Sequence, residues 1–213
     1  MKDPRRCHES GRFWNQKNPE IRSMLLNHSA TELDRSERPE ILGYLPPLEG
    51  TDVLDLGAGI GRFTGEFAKT CRSVAALDFN PLFLKENEKN NSCFTNIVYH
   101  CKDALDADFE SGSFGLVFIS WLFMYLTDSE SHALAENIVR WLKPGGFLFF
   151  RESCAAKRTS STNEGYFAEY RSFLDYARLF KGKLKLIREG NILAYEQQES
   201  DCFKGFWLYR KTN

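Results

Sequence analysis

Three glycines at alternate positions, Gly57, Gly59 and Gly61, follow the apolar run Val53-Leu54-Asp55-Leu56 and lead through Arg62 and Phe63 into a helical pattern. This order reads as strand, tight turn and helix start. Glycine suits such a corner because a Cβ would block both the sharp turn and a close ligand, while the helix start offers free N–H groups. Two further acids stand at the ends of apolar runs, Asp78 after Val74-Ala75-Ala76-Leu77 and Asp103 after Ile97 to Lys102. A carboxylate at the end of the second strand can accept both hydroxyl protons of a ribose, and one after the third can accept an adenine amino group. Each acid alone reads equally as a cap or a turn residue; their order along the chain is what points to a nucleoside.

The spacing selects among nucleotides. A dinucleotide fingerprint places its third glycine where this chain has Arg62, so a pyrophosphate ligand such as NAD is disfavoured. An adenosine carrying an amino-acid tail and no phosphate, as in S-adenosyl-L-methionine (AdoMet), fits better. The expected cofactor contacts are Asp55, Gly57, Ala58, Gly59, Asp78, Phe79, Asp103, Ala104 and Ser120. No His or Cys pattern has metal-ligand spacing, and no metal is expected.

From Asp52 onward strand and helix patterns alternate, the signature of a parallel sheet covered on both faces. Expected strands include Phe114 to Ser120 and Phe147 to Phe150, and a helix is expected over Ala133 to Leu142, ended by Lys143-Pro144-Gly145-Gly146. Phe63, Phe67 and Ala68 form the stripe of the first helix, and Leu82, Phe83 and Leu84 open that of the second. Ala155 to Asn163 reads as a loop, Tyr166 to Phe180 as a helix, and Lys183 to Gln197 with Phe203 to Arg210 as an antiparallel pair. The fold class is α/β: a Rossmann-like, seven-stranded, mostly parallel sheet closed by a C-terminal antiparallel pair.

Before the sheet, residues 1–47 read as a helical lid and cap segment, and residues 48–213 as the main domain. Ser36 is the expected cap of a helix with Pro39 in its first turn. Trp14 reads as a staple for the helix from about Glu20. The 213 residues, a net charge of −1 and six scattered cysteines describe one globular unit with reduced thiols. That balance gives no basic surface for nucleic acid, and no run reaches the ~18 apolar residues of a membrane span. A cytoplasmic monomer is expected.

The glycine corner with Asp78 and Asp103 resembles motif I and the following acids of class I AdoMet-dependent methyltransferases. Met24-Leu25-Leu26, Glu37-Arg38-Pro39-Glu40, Leu45-Pro46-Pro47, Gly57 to Glu66, Trp121 to Tyr125, Lys143 to Gly146 and Arg151-Glu152-Ser153-Cys154 are similar to the amino-terminal domain of plant and nematode phosphoethanolamine N-methyltransferases. The family usually has Asn before the Trp of the fourth-strand loop, where this chain has Ser120.

The resemblance implies AdoMet-dependent N-methylation of a small phosphobase, with Tyr125 at the acceptor nitrogen. It also implies, as the alternative to a staple, that Trp14 belongs to a lid over the cofactor. Trp121 serves either as a cation–π partner of that nitrogen or as a wall of the adenosine pocket. Phosphate recognition falls to Arg151, Tyr170, Arg171 and Tyr176, since guanidinium groups match phosphate oxygens. Plant members carry a second methyltransferase domain where this sequence stops, so the resemblance implies the first methylation here and later ones by another protein. A methyltransferase for another small acceptor, and a non-catalytic AdoMet-binding regulator, are the competing expectations.

Overall fold

The structure, a computed structural model, describes residues 11–161, 168–195 and 202–212. Five parallel strands come first: β1 (Asp52–Leu56), β2 (Ser73–Asp78), β3 (Ile97–Cys101), β4 (Phe114–Ser120) and β5 (Leu142–Ala155). Then β8 (Lys185–Asn191) and β9 (Cys202–Arg210) add antiparallel, giving the order β3-β2-β1-β4-β5-β9-β8. The expected seven-stranded sheet with its terminal antiparallel pair is present. Strand β5 continues past Phe150 to Ala155 because β9 pairs with it residue by residue from Phe147 to Ala155.

Alternate residues of the central strands enter different cores, which is the period-two rule of a sheet covered on both faces. Leu54, Val117, Leu148 and Trp207 pack with α5 (Asp128–Trp141) and α6 (Phe173–Arg178). Val53, Phe118, Phe149 and Phe206 pack with α1 (Ile21–Leu25), α2 (Ala30–Leu42) and α3 (Thr64–Ala68). On α4 (Pro81–Asn90) Phe83 and Leu84 are buried as expected, but Leu82 is 53% exposed.

Three local readings are corrected. Helix α2 runs through Ser36, whose hydroxyl donates to the Leu33 carbonyl at 3.0 Å, and contains Pro39 near its end. Helix α5 begins at Asp128, five residues earlier than expected, because Thr127 and Glu130 form a capping box. Residues 159–161 (β6, Thr159–Ser161) pair with β7 (Ala168–Tyr170) as a hairpin, so the loop is partly strand, and the following helix starts only at Phe173. There the Ser172 hydroxyl accepts the Asp175 N–H at 3.2 Å and sets the start. Ala155 itself ends β5, whereas residues 162–163 of the expected loop and the first residues of the expected helix lie outside the described residues, as does the connection over 196–201.

Gly61 is a packing glycine. Its φ of +84° lies in the left-handed region, and a Cβ would stand 2.2 Å from Asn87 Oδ1 and 2.4 Å from Asn91 Nδ2. Neither amide can yield freely, since Asn87 donates to Thr64 Oγ1 at 3.1 Å and Asn91 to the Gly61 carbonyl at 3.2 Å. Gly61→Ala is therefore expected to lower unfolding free energy by about 2–4 kcal/mol, read as a shift of the urea midpoint with unchanged slope; a midpoint within error of the parent would refute this.

Candidate active site

A cavity of about 620 Å³ opens over the carboxyl ends of β1, β2 and β4, within the size range of small-molecule sites. Parallel strands place ligands there because the connections diverge beyond their carboxyl ends. Asp55, Gly57, Ala58, Gly59, Asp78, Phe79, Asp103, Ala104 and Ser120, the expected cofactor contacts, all line it. So do Trp121, Tyr125 and Tyr170. Arg151, Arg171 and Tyr176 do not.

The nucleoside end is built on backbone geometry. Asp78 accepts the Gly59 N–H and the Asn80 N–H, each at 2.9 Å, and so ties the glycine turn to the end of β2. Asn80 caps α4 and its Nδ2 donates to the Trp14 carbonyl at 3.0 Å, fixing the N-terminal segment over the cavity. Asp103 accepts the Leu105 N–H at 2.9 Å as it begins a 3-10 turn. Gly59 has φ +53°, and a Cβ there would meet Met24 Sδ at 3.0 Å, so the turn and the cap touch without room for a side chain. Burial pushes Asp55 up to about 7, opposed by the Thr64 hydroxyl at 2.6 Å and reinforced by the Asp78 charge. Burial likewise pushes Asp78 up to about 6 against its backbone donors.

Beside this lies a buried ion cluster that the sequence did not announce. The Glu37 carboxylate accepts Arg151 Nη1 and Nη2 at 2.9 and 3.0 Å, and also bonds Arg62 and the Tyr195 hydroxyl. Burial alone would raise the Glu37 acid, but Arg151 and Arg62 overcome it and hold the carboxyl below its usual range. Arg151 also donates to Ser120 Oγ at 2.9 Å, and its guanidinium carbon lies 3.5 Å from the Trp121 ring centroid. The aromatic face expected to meet an acceptor cation is thus set against the protein's own. Trp121 has φ +57°, a costly conformation for a bulky residue.

Arg171 is 2% exposed and spends its donors on the Phe123 and Leu126 carbonyls and on Asp128. Tyr176 is fully buried against Trp207, with its hydroxyl toward the Glu169 carbonyl at 3.4 Å. Both guanidinium groups named for phosphate are therefore committed to protein partners.

A further part of the cavity is lined by Tyr125, Tyr170, Ser153, Tyr195 and Lys204. Lys204 Nζ donates to Ser153 Oγ at 3.0 Å, the two being register partners across β5 and β9. Trp14 meets Tyr125 edge to face at 5.6 Å and roofs this part. Among the described residues, no three His, Cys, Asp or Glu side chains group as a metal would require, and no helix is long and apolar enough to cross a membrane.

A methyltransferase domain model matches residues 53–146. The phosphoethanolamine N-methyltransferase of Triticum aestivum is 39% identical over 217 residues, covering 95% of this chain and 43% of that protein. Phosphoethanolamine N-methyltransferase 1 of Arabidopsis thaliana is 42% identical, over 91% of this chain and 42% of its own length. The solved structure of Haemonchus contortus phosphoethanolamine N-methyltransferase 1, in complex with phosphoethanolamine and S-adenosylhomocysteine, superposes with a TM-score of 0.86 at 31% identity, covering all of this chain and 50% of that one. The chain spans less than half the length of the curated relatives it matches. With AdoMet as its methyl donor, it belongs to the class I AdoMet-dependent methyltransferases, close to the phosphoethanolamine N-methyltransferases.

Proposed function

We propose that this chain methylates the amino nitrogen of phosphoethanolamine, the first methylation on the way to phosphocholine, with later methylations left to another domain or protein. The observation that carries the reading is the composition of the acceptor end, where Lys204 and the hydroxyl-bearing residues Ser153 and Tyr170 line the cavity. A compact cation beside hydroxyl groups suits a phosphate. The relative solved with phosphoethanolamine supports the same ligand.

AdoMet, when bound, supplies an electrophilic methyl group on a sulfonium. Asp78 is assigned to the ribose hydroxyls, Asp103 and Ala104 to the adenine, and Asp55 with the glycine turn to the amino-acid tail. Tyr125 is assigned to the acceptor nitrogen. Residues 11–47 act as the cap, and Trp14 keeps water from the reacting end. A drier pocket disfavours the ammonium form, so the amine meets the methyl group with its lone pair available. Most of the acceleration comes from holding nitrogen and methyl in line. Ser120 and Trp121 form the wall between the two ends. Arg151, Arg171 and Tyr176 serve through the residues they hold rather than by touching phosphate.

Purified protein given labelled AdoMet and a panel of amines is expected to label phosphoethanolamine. Lys204→Ala should raise KM for phosphoethanolamine about ten- to a hundredfold and leave unphosphorylated ethanolamine unaffected. Tyr125→Phe should lower kcat with S-adenosylhomocysteine affinity unchanged. Equal losses for phosphorylated and unphosphorylated amines in Lys204→Ala would refute phosphate recognition there, and labelling of a different amine would refute the substrate. A pH effect follows from Asp78. Its acid, raised to about 6 in the free protein, holds a proton below that pH and cannot accept two ribose hydroxyls. S-adenosylhomocysteine affinity should therefore increase as pH rises through about 6 and then level off, with a proton released on binding, read by calorimetry in buffers of different ionisation enthalpy. Asp78→Asn should flatten that step; an unchanged slope would remove Asp78 from the role.

A further inference from the structure

The loop after β4 brings Trp121, Leu122, Met124, Tyr125 and Leu126 to the cavity, yet its one 3-10 turn satisfies only part of its own backbone. Two charged residues remote in sequence supply further partners. Glu152, fully buried on β5, accepts the Leu122 and Phe123 N–H groups on one oxygen at 2.9 and 2.7 Å, and the Met124 N–H on the other at 3.3 Å. Arg171, just past β7, donates to the Phe123 carbonyl at 2.9 Å and the Leu126 carbonyl at 2.7 Å. Its remaining donors meet Asp128 Oδ1 at 2.9 and 3.0 Å, at the first turn of α5.

We infer that Glu152 and Arg171 are positioning residues for methyl transfer: a two-sided clamp, carboxylate on the amides and guanidinium on the carbonyls, that fixes where Tyr125 and Trp121 stand. The geometry favours this over a role in stability alone. Burying two charges is expensive, and apolar residues of similar volume often stabilise a fold as well or better. What an apolar pair cannot do is specify one backbone path over consecutive residues. Arg171 also follows Tyr170 directly, so the same guanidinium that grips the Tyr125 loop fixes a second cavity residue. Misplacement of a reacting group by about 1 Å can lower rate a hundredfold.

The clamp rests on the methyltransferase assignment and on Tyr125 acting at the acceptor, and its test separates it from the choice of substrate. Arg171→Lys offers a cation that cannot span two carbonyls and Asp128, and Glu152→Gln removes one acceptor oxygen. In each, kcat for phosphoethanolamine should fall about ten- to a hundredfold, while S-adenosylhomocysteine affinity stays within about threefold of the parent. The double variant should lose little more than the worse single one, because both break one device. Folded variants that keep kcat, or losses that simply multiply, would overturn the clamp.

A second readout needs neither variants nor substrate. In the unaltered protein the amides of Leu122, Phe123 and Met124 should exchange with deuterium as slowly as those inside β4, despite belonging to a loop. Fast exchange there would overturn the inference even if phosphoethanolamine is methylated. Slow exchange would sustain it even if the acceptor proves to be another amine.

Discussion

The Glu37 carboxylate is the point through which the parts of this molecule are joined. It belongs to α2, in the N-terminal segment, and its partners come from the glycine corner (Arg62), β5 (Arg151) and the turn after β8 (Tyr195). Glu37 and Arg151 are fully buried and Tyr195 nearly so, which leaves their bonds little screened by water, while Arg62 borders the cavity. Removing one partner of such a cluster leaves a charge without compensation, which typically costs about 3–5 kcal/mol. These bonds tie α2 to the glycine corner, to β5 and to the turn after β8. Arg151 extends the arrangement by lying flat on Trp121 and bonding Ser120, so the wall of the site takes its position from the same carboxylate.

The donor half of the site was legible in the chain because its signals are local. Strand, glycine turn and helix are adjacent in sequence, and Asp78 and Asp103 end apolar runs whose direction fixes where the acids must point. The parallel sheet followed from the same alternation. Phe147 to Phe150 marked the core of β5, but its continuation to Ala155 depends on pairing with β9, which no residue of β5 declares by itself.

The acceptor half was less legible because its contacts are long-range. Glu37 sits in a charged run at a helix, and its partners lie 25, 114 and 158 residues away. Arg151 and Arg171 were marked for phosphate by residue type, whereas their surroundings give them carbonyls and carboxylates of the protein. Ser153 and Lys204, 51 residues apart, meet only through strand register. Tyr170 falls in a stretch whose aromatic spacing reads as helix, and its pairing with Thr159 makes it strand instead.

The reversal of direction at β9 carries an implication for how such a protein can diverge. Because β9 runs against β5, its beginning rather than its end reaches the mouth of the cavity, and Lys204 arrives there from the opposite side of the sheet order to Asp78. Two rims of the cavity are thereby written in separate stretches of chain, one closing on Asp78 and the other opening near Lys204. Substitution near the start of β9 therefore reshapes one rim while the bond between Asp78 and the Gly59 amide, across the sheet from it, keeps its place.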